Sequence, residues 1–227
     1  MEELSDGNAE VDVNIKSALA LSVAKSLYLS ARFHGRVVVV RGTRIRLAKG
    51  ARIELAPGAR LRLGMRHPLG TPLALQIRSG GRLTVHGEVL ISSGTRILIG
   101  DNGHLEIGDQ TFIHYDGVIT CWDHISIGSE CGISWNVNIL DGNGHDLTVG
   151  GKARPVARGT QIGNRVWLGT GATVVSATIG DGSVVGAASM VSGKVPSKVL
   201  VKGNPATVVR EDVLFEGHHF EHGKSGS

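Results

Sequence analysis

The stretch IGNRVWLGTGATVVSATIGDGSVVGAASMV, residues 162–191, decides the fold. Aliphatic residues recur in it every six positions, first at Ile162, Leu168 and Val174, then at Ile179, Val185 and Val191. Small residues follow several of them, in I-G-N, L-G-T, I-G-D and V-G-A. A strand of about four residues and a tight corner fill six positions, so three such sides close a coil of roughly eighteen. One coil cannot bury its own apolar edge, and coils must therefore stack into a solenoid. The same period runs through Ile107, Ile113 and Ile119, and again through Ile127, Ile133 and Ile139. One interruption stands out. VVSAT (174–178) is one residue short of the six expected before Ile179, which demands a tightened corner.

Toward the N-terminus the unit lengthens to eight residues: TRIRLAKG, ARIELAPG and ARLRLGMR over 43–66. Apolar pairs Ile45/Leu47, Ile53/Leu55 and Leu61/Leu63 flank Arg46, Glu54 and Arg62, the two-residue alternation of a strand. TRILIGDN and GHLEIGDQ (95–110) continue the pattern. Glycine fits this reading. The chain of 227 residues contains 33 glycines, about twice the usual share of ~7%, but only nine aromatic residues and six prolines. A narrow prism needs small corners and has no room for rings. The glycines show no Gly-X-Y period, which excludes collagen, and a hydrophobic fraction of 41% argues against disorder.

No run approaches the ~18 apolar residues of a membrane span, and the chain opens on nothing resembling a leader sequence. Cys121 and Cys131 form neither a disulfide framework nor a C-x-x-C zinc motif. Residues 1–35 read as a helical arm, with an amphipathic helix over 8–33 in which Ile15, Leu19, Val23 and Leu27 recur at four-residue spacing. Ser5 or Asp6 would cap it and Gly35 would stop it. It is expected to cover the solenoid's open end or to cross a subunit boundary, because unpaired strand edges must be covered. Eight-residue coils follow over 36–106, hexapeptide coils over 107–210 with a loop at 141–161, and a tail over 211–227 that loses order.

Residues 162–210, in the pieces IGNRVWLG, IGDGSVVGAASMV and VKGNPATVVR, resemble the C-terminal half of the hexapeptide-repeat acyltransferases, the sugar, polysaccharide, serine and xenobiotic O-acetyltransferases. ILDGNGHDL (139–147) resembles the loop that carries this family's catalytic histidine, and its G-H-D is similar to the form in exopolysaccharide O-acetyltransferases. The resemblance implies a left-handed parallel β-helix, a homotrimer, acetyl-CoA as donor, no metal, and active sites between neighbouring subunits. The handedness rests on the resemblance alone and reverses the usual right-handed crossover.

His145 stands where the run 127, 133, 139 would place its next inward aliphatic residue, inside the polar sequence D-G-N-G-H-D. The repeats resume only at Ile162, so residues 141–161 leave the prism, and long loops in compact folds carry function. Imidazole exchanges protons near neutral pH and suits a general base for an acceptor hydroxyl. Asp146 or Asp141 could fix its tautomer, and the G-H-D resemblance favours Asp146. No serine nucleophile is evident, which suits direct transfer in a ternary complex. Cys121 and Cys131 fall among inward and corner positions and read as packing residues.

By the family motif, Trp167, Gly169, Thr170 and Ala187 fall on the donor groove, where glycine lets backbone N–H groups approach an amide-bearing arm. Lys202 and Arg210 are candidates for the nucleotide phosphates. Thr207 stands after N-P-A, where the family often has Lys or Arg, and Lys202 occupies a position usually small. Trp135, Asn138 and Asn143 lie near the His145 loop and could hold a sugar by stacking and hydrogen bonding.

Ten basic residues, Arg32 to Arg66, face Glu54 alone over 31–66, in a chain whose net charge is only +4. Such a basic face could meet anionic lipid headgroups, a lipid-linked glycan or an acidic polysaccharide. No nucleic-acid module is present. The reading is an O-acetyltransferase acting on a sugar or glycan hydroxyl, cytoplasmic or peripheral at the inner membrane face. Two other readings remain. One is a non-catalytic β-helix scaffold. The other is a zinc enzyme similar to the β-helical carbonic anhydrases, for which His86 and His104, eighteen apart, would stack; the H-x4-H pairing of that family is absent.

Overall fold

The computed structural model describes residues 22–65, 71–142, 144–145, 147–154 and 157–217. They form a left-handed parallel β-helix of three faces. Face one stacks β1 (Arg36–Val39), β4 (Arg60–Met65), β7 (Glu88–Ser92), β10 (Thr111–Ile113), β13 (Gly132–Ile133), β18 (Trp167–Leu168), β20 (Val184–Val185) and β22 (Leu200–Gly203). Face two stacks β2 (Arg44–Leu47), β5 (Ala74–Ile77), β8 (Arg96–Ile99), β11 (Val118–Cys121) and β14 (Asn138–Leu140). Face three stacks β3 (Arg52–Leu55), β6 (Arg82–Val85), β9 (His104–Ile107), β12 (His124–Ile127) and β17 (Thr160–Ile162). β19 (Thr173–Ile179) and β21 (Met190–Val195) each run across faces two and three.

The twelve aliphatic residues of the six-residue runs, from Ile107 to Val191, all point inward and are buried. Cys121 and Cys131 join them at 0% exposure. The coil is not a constant eighteen. Arg36 pairs with Arg60, Arg60 with Glu88, Arg82 with His104, His104 with His124, Trp167 with Val184 and Val184 with Leu200, so successive registers on these faces are 24, 28, 22, 20, 17 and 16 residues. Longer corners of the A-K-G kind account for the wide end. The short VVSAT segment does tighten a corner: β19 turns from one face to the next on Ser176 alone, at φ +47°, with a register shift between Val175 and Ala177.

The helical arm is described only over α1 (Val23–Arg32), so Ile15, Leu19 and the expected caps lie outside the described residues. It covers the open end, but not by the expected face. Val23 and Leu27 are 63% and 66% exposed, and only Leu29 is buried. The docking face is hydroxylated, because the first strand offers unpaired backbone groups rather than apolar surface. Val39 N–H donates to Ser26 Oγ at 2.9 Å, Val37 N–H donates to Ser30 Oγ at 3.0 Å, and Ser30 Oγ donates to Val37 O at 3.1 Å.

The opposite end departs from expectation as well. β23 (Ala206–Arg210) turns back antiparallel on β22. Residues 211–217 of the tail then run along the solenoid, with Val213 N–H on Lys198 O at 2.8 Å and Phe215 N–H on Gly182 O at 3.0 Å.

The basic run is split among the faces, because successive eight-residue units lie on successive sides. Arg60 and Arg62 on face one pair with Glu88. Arg44 and Arg46 lie on face two beside Arg96, and Arg52 lies on face three; Arg66 is outside the described residues. The expected single basic face is therefore replaced by a smaller arginine cluster on face two. It borders a groove of about 350 Å³ that also includes Gln76 and Thr120. Among the described residues no helix is long and apolar enough to cross a membrane.

Candidate active site

The loop that carries His145 leaves the prism at the corner between faces two and three, and Asp141 is its mount. The Asp141 side chain is fully buried, and its carboxylate accepts the N–H of Trp122 at 2.9 Å to each oxygen and that of Asp123 at 2.7 Å. Bonds to an ionised acceptor are among the stronger ones in a protein. The Asp141 carbonyl accepts Ser176 Oγ–H at 2.7 Å and Arg158 N–H at 2.9 Å. Ser176, the tightened corner, is thus tied to the base of the loop. Gly142 bridges Ala157, and β15 (Leu147–Val149) pairs antiparallel with β16 (Lys152–Arg154), so the excursion is a hairpin.

Gly144 sits on the indole of Trp122 at φ +72°, where a Cβ would stand 3.1 Å from the ring. His145 follows, exposed at the surface. Asp141 therefore anchors the loop through backbone N–H groups. Asn143 and Asp146 lie outside the described residues.

A second constellation occupies the corner between faces one and two. Parallel pairing stacks His114, Ser134, Gly169, Gly186 and Lys202 in successive coils. His114 N–H bonds Ile133 O, Ser134 bonds Leu168 O, Gly169 bonds Val185 O and Gly186 bonds Val201 O, all at 2.8–2.9 Å. Next to them in the chain stand Tyr115, Trp135, Thr170 and Ala187, of which the last three are exposed. A Cβ on Gly169 would stand 2.7 Å from Ala187 N, and one on Gly186 would stand 2.5 Å from Lys202 Cγ. The stem of Lys202 thus lies across Gly186. Arg210 is exposed on β23, opposite Leu200.

Trp167 is 44% exposed on face one; its Nε1–H donates to Ser134 Oγ at 2.9 Å and its ring lies 6.0 Å from that of Phe215. Trp135 is 49% exposed and donates from Nε1 to His114 Nδ1 at 3.0 Å, beside Tyr115 at 6.3 Å between ring centroids. Asn138 projects from face two between the two corners, with its amide 3.5 Å from Thr173 Oγ1.

The sequence reading missed His114, Tyr115, Ser134, Trp122 and Phe215. His114 and Tyr115 did leave a signal, since F-I-H-Y puts aromatic rings where other units have a small corner. Trp122 and Phe215 left none.

Face two separates the two corners by roughly 15 Å, for about five residues at 3.3 Å each. One chain therefore holds the His145 loop and the Thr170–Ala187 column at different corners of its prism.

Neither cysteine can serve as a nucleophile. Burial, with the Asp141 carboxylate adding to it, pushes the Cys121 thiol up to about 12, and burial pushes Cys131 up to about 11. Reactivity belongs to the thiolate. We expect no labelling of either residue by iodoacetamide at neutral pH until the protein is unfolded, as read by intact mass. Modification of the folded chain would contradict this packing role.

No protein-family model matches the chain. It is 36% identical over 118 residues to the putative colanic acid biosynthesis acetyltransferase WcaF of Escherichia coli (strain K12), covering 49% of this chain and 61% of that protein. It is 31% identical over 144 residues to galactoside O-acetyltransferase of the same organism, covering 62% and 66%. The chain thus spans less than two thirds of the length of these curated relatives. The crystal structure of the polySia-specific acetyltransferase NeuO superposes with a TM-score of 0.58 at 20% identity, covering 81% of this chain and 88% of that one, a likeness of fold. With its stacked three-sided coils, its I-G-N-R-V-W-L-G motif and its excursion at Asp141, the chain shares the fold of hexapeptide-repeat acetyltransferases and is similar to them in sequence.

Proposed function

We propose that the protein transfers an acetyl group from acetyl-CoA to a hydroxyl of a sugar or glycan, with His145 as general base. The observation that carries this reading is the pair of corners: a mounted histidine loop on one, and a glycine-backed column with exposed small residues on the other. His145 takes the proton of the acceptor hydroxyl as its oxygen attacks the thioester carbonyl. The C–S bond then breaks, and the imidazolium returns the proton to the departing thiolate. Asp146 orients the ring, while Asp141 holds the loop. The donor arm lies along Gly169, Thr170 and Ala187 beside Trp167, and Lys202 and Arg210 meet its phosphates.

A subunit that holds its base and its donor column at different corners completes a site by apposing a neighbour, which supports a homotrimer with active sites between subunits. Trp135, Asn138 and Asn143 contact the acceptor. Arg44, Arg46 and Arg96 on face two favour an anionic glycan or its lipid-linked precursor, handled in the cytoplasm at the inner membrane face. The division into a helical arm (1–35), wide coils (36–106), hexapeptide coils with the 141–161 loop (107–210) and a C-terminal extension (211–227) follows these roles.

The test is a mass-shift screen of free sugars, nucleotide sugars, serine and lipid-linked glycans with acetyl-CoA. A gain of one acetyl on a glycan supports the reading. No acetylation, together with no thermal shift in acetyl-CoA, would leave a non-catalytic scaffold. Gly144→Ala tests the mount. It strains a left-handed glycine against the Trp122 ring and should displace His145, lowering kcat by about 10²-fold at a cost in stability of about 1–2 kcal/mol. An unaltered kcat would show that the base does not depend on this support.

A further inference from the structure

Face three carries a row of metal-ligating side chains separate from the acyl-transfer groups. His104 and Glu106 project from β9, and the parallel register sets His124 of β12 directly against His104. Nε2 of His124 lies 2.9 Å from Oε1 of Glu106, and Nδ1 of His104 lies 3.4 Å from that same oxygen. One donor atom from each of the three residues falls within 4.8 Å of the other two. A tetrahedral zinc ion with bonds near 2.0–2.1 Å holds its donors about 3.3 Å apart, so two of the three edges are close to the required length.

The surroundings orient the ligands. Thr84, one coil earlier on β6, places Oγ1 2.8 Å from Nε2 of His104. That occupies one ring nitrogen and leaves Nδ1 facing the carboxylate, which is how an outer-shell partner fixes a metal-binding tautomer. His86 sits at the next corner with Nε2 3.2 Å from Oε2, the other oxygen of Glu106. Arg82 is the competing cation: its guanidinium is 3.4 Å from His104 Nδ1 and 3.8 Å from Glu54. Glu54 gives it a partner to move toward when an ion enters. All four ligand-type residues are partly exposed, so an ion can reach them.

We propose that His104, Glu106 and His124 bind one divalent transition-metal ion of the zinc type on the outer surface of face three, with Thr84 and His86 as supporting partners. Imidazole with a single carboxylate suits zinc, cobalt or nickel rather than magnesium or calcium, which favour oxygen ligands. This is not the His86/His104 stack expected from their spacing, since His104 stacks on Arg82 and His124 instead. The ion would clip β9 to β12, and β12 follows directly on Trp122 and Asp123, whose N–H groups hold Asp141. The clip would stiffen the mount of the 141–161 loop without touching the reacting atoms.

The test uses the full chain without an affinity tag, stripped with EDTA and titrated with Co²⁺. We expect one equivalent bound, with the visible absorption of a tetrahedral site, displaced by Zn²⁺ and accompanied by a higher melting temperature. His124→Ala and the near-isosteric Glu106→Gln, both at the surface, should abolish that spectrum. Thr84→Val should weaken binding about 10–100-fold, and His145→Ala should leave it unchanged. Absence of the tetrahedral spectrum from the wild-type chain in excess Co²⁺ would overturn the proposal. So would equal binding by His124→Ala and Glu106→Gln, which would assign the ion to other histidines, such as those at 218–222.

Discussion

His145→Ala should lower acetyl transfer by about 10²–10⁴-fold while subunit assembly and acetyl-CoA binding stay at wild-type levels. The residue is exposed and follows a glycine seated on Trp122, so truncating it leaves the inward aliphatic residues of the prism in place. A loss confined to turnover is therefore the mark of a proton acceptor. Asp141→Ala should behave differently. It would strip three hydrogen bonds from the N–H groups of Trp122 and Asp123 and open the base of the loop, so turnover and melting temperature should fall together. Steady-state kinetics, sedimentation and a thermal shift in acetyl-CoA separate the two variants. Wild-type turnover in His145→Ala would remove the base from the proposed mechanism.

The architecture was legible because burial in a three-sided prism is periodic. Every aliphatic residue of the six-residue runs is inward, and the missing residue in VVSAT became the single-residue corner at Ser176. Coil length was legible only in part: the eight-residue units match the 24-residue register of the first coil, but the next coil spans 30 residues and the last spans 16, because corner residues vary in number and leave no apolar mark. The helix was misoriented for a physical reason. A solenoid end exposes backbone polar groups, so Ser26 and Ser30 form its docking face while the apolar spacing of Val23 and Leu27 faces outward.

The excursion that bears His145 was legible from what it displaced, an inward aliphatic at the next repeat position. The mount was not, because Asp141 acts on N–H groups of a residue pair one coil earlier in the chain, and that pairing exists only after the coils stack. The cluster on face three was hidden for the same reason. Glu106 and His124 look like ordinary outward residues until the 20-residue register sets His124 against His104. Phe215 was lost because its partners, Gly132 and Trp167, lie far back in the chain.

Gly128→Ala should destabilise the protein by about 3 kcal/mol, lowering the melting temperature by roughly 6–12 °C, even though its backbone lies outside the left-handed region. Gly108, Gly128, Gly163 and Gly180 follow the inward residues Ile107, Ile127, Ile162 and Ile179 and stack at one corner. A Cβ on Gly108 would stand 2.5 Å from Gly128 C, one on Gly128 would stand 2.5 Å from Gly163 O, and one on Gly180 would stand 2.5 Å from Ser197 N. These obstacles are backbone atoms, and the corner cannot yield to them separately. Gly128 N–H is bonded to Ile162 O at 2.8 Å, and Gly108 N–H to Ile127 O at 2.8 Å. Making room for one methyl means spreading two coils and lengthening the ladder between them. Gly58→Ala is the control. Gly58 has φ +79° but open space within 4 Å, so alanine there costs only the strain of a left-handed residue, about 1–2 kcal/mol. If Gly128→Ala melts no lower than Gly58→Ala, turn conformation rather than the close approach of coils would account for glycine at these corners. The expected order, with the larger loss at the residue of ordinary φ, would trace much of the chain's excess glycine to the spacing between stacked coils.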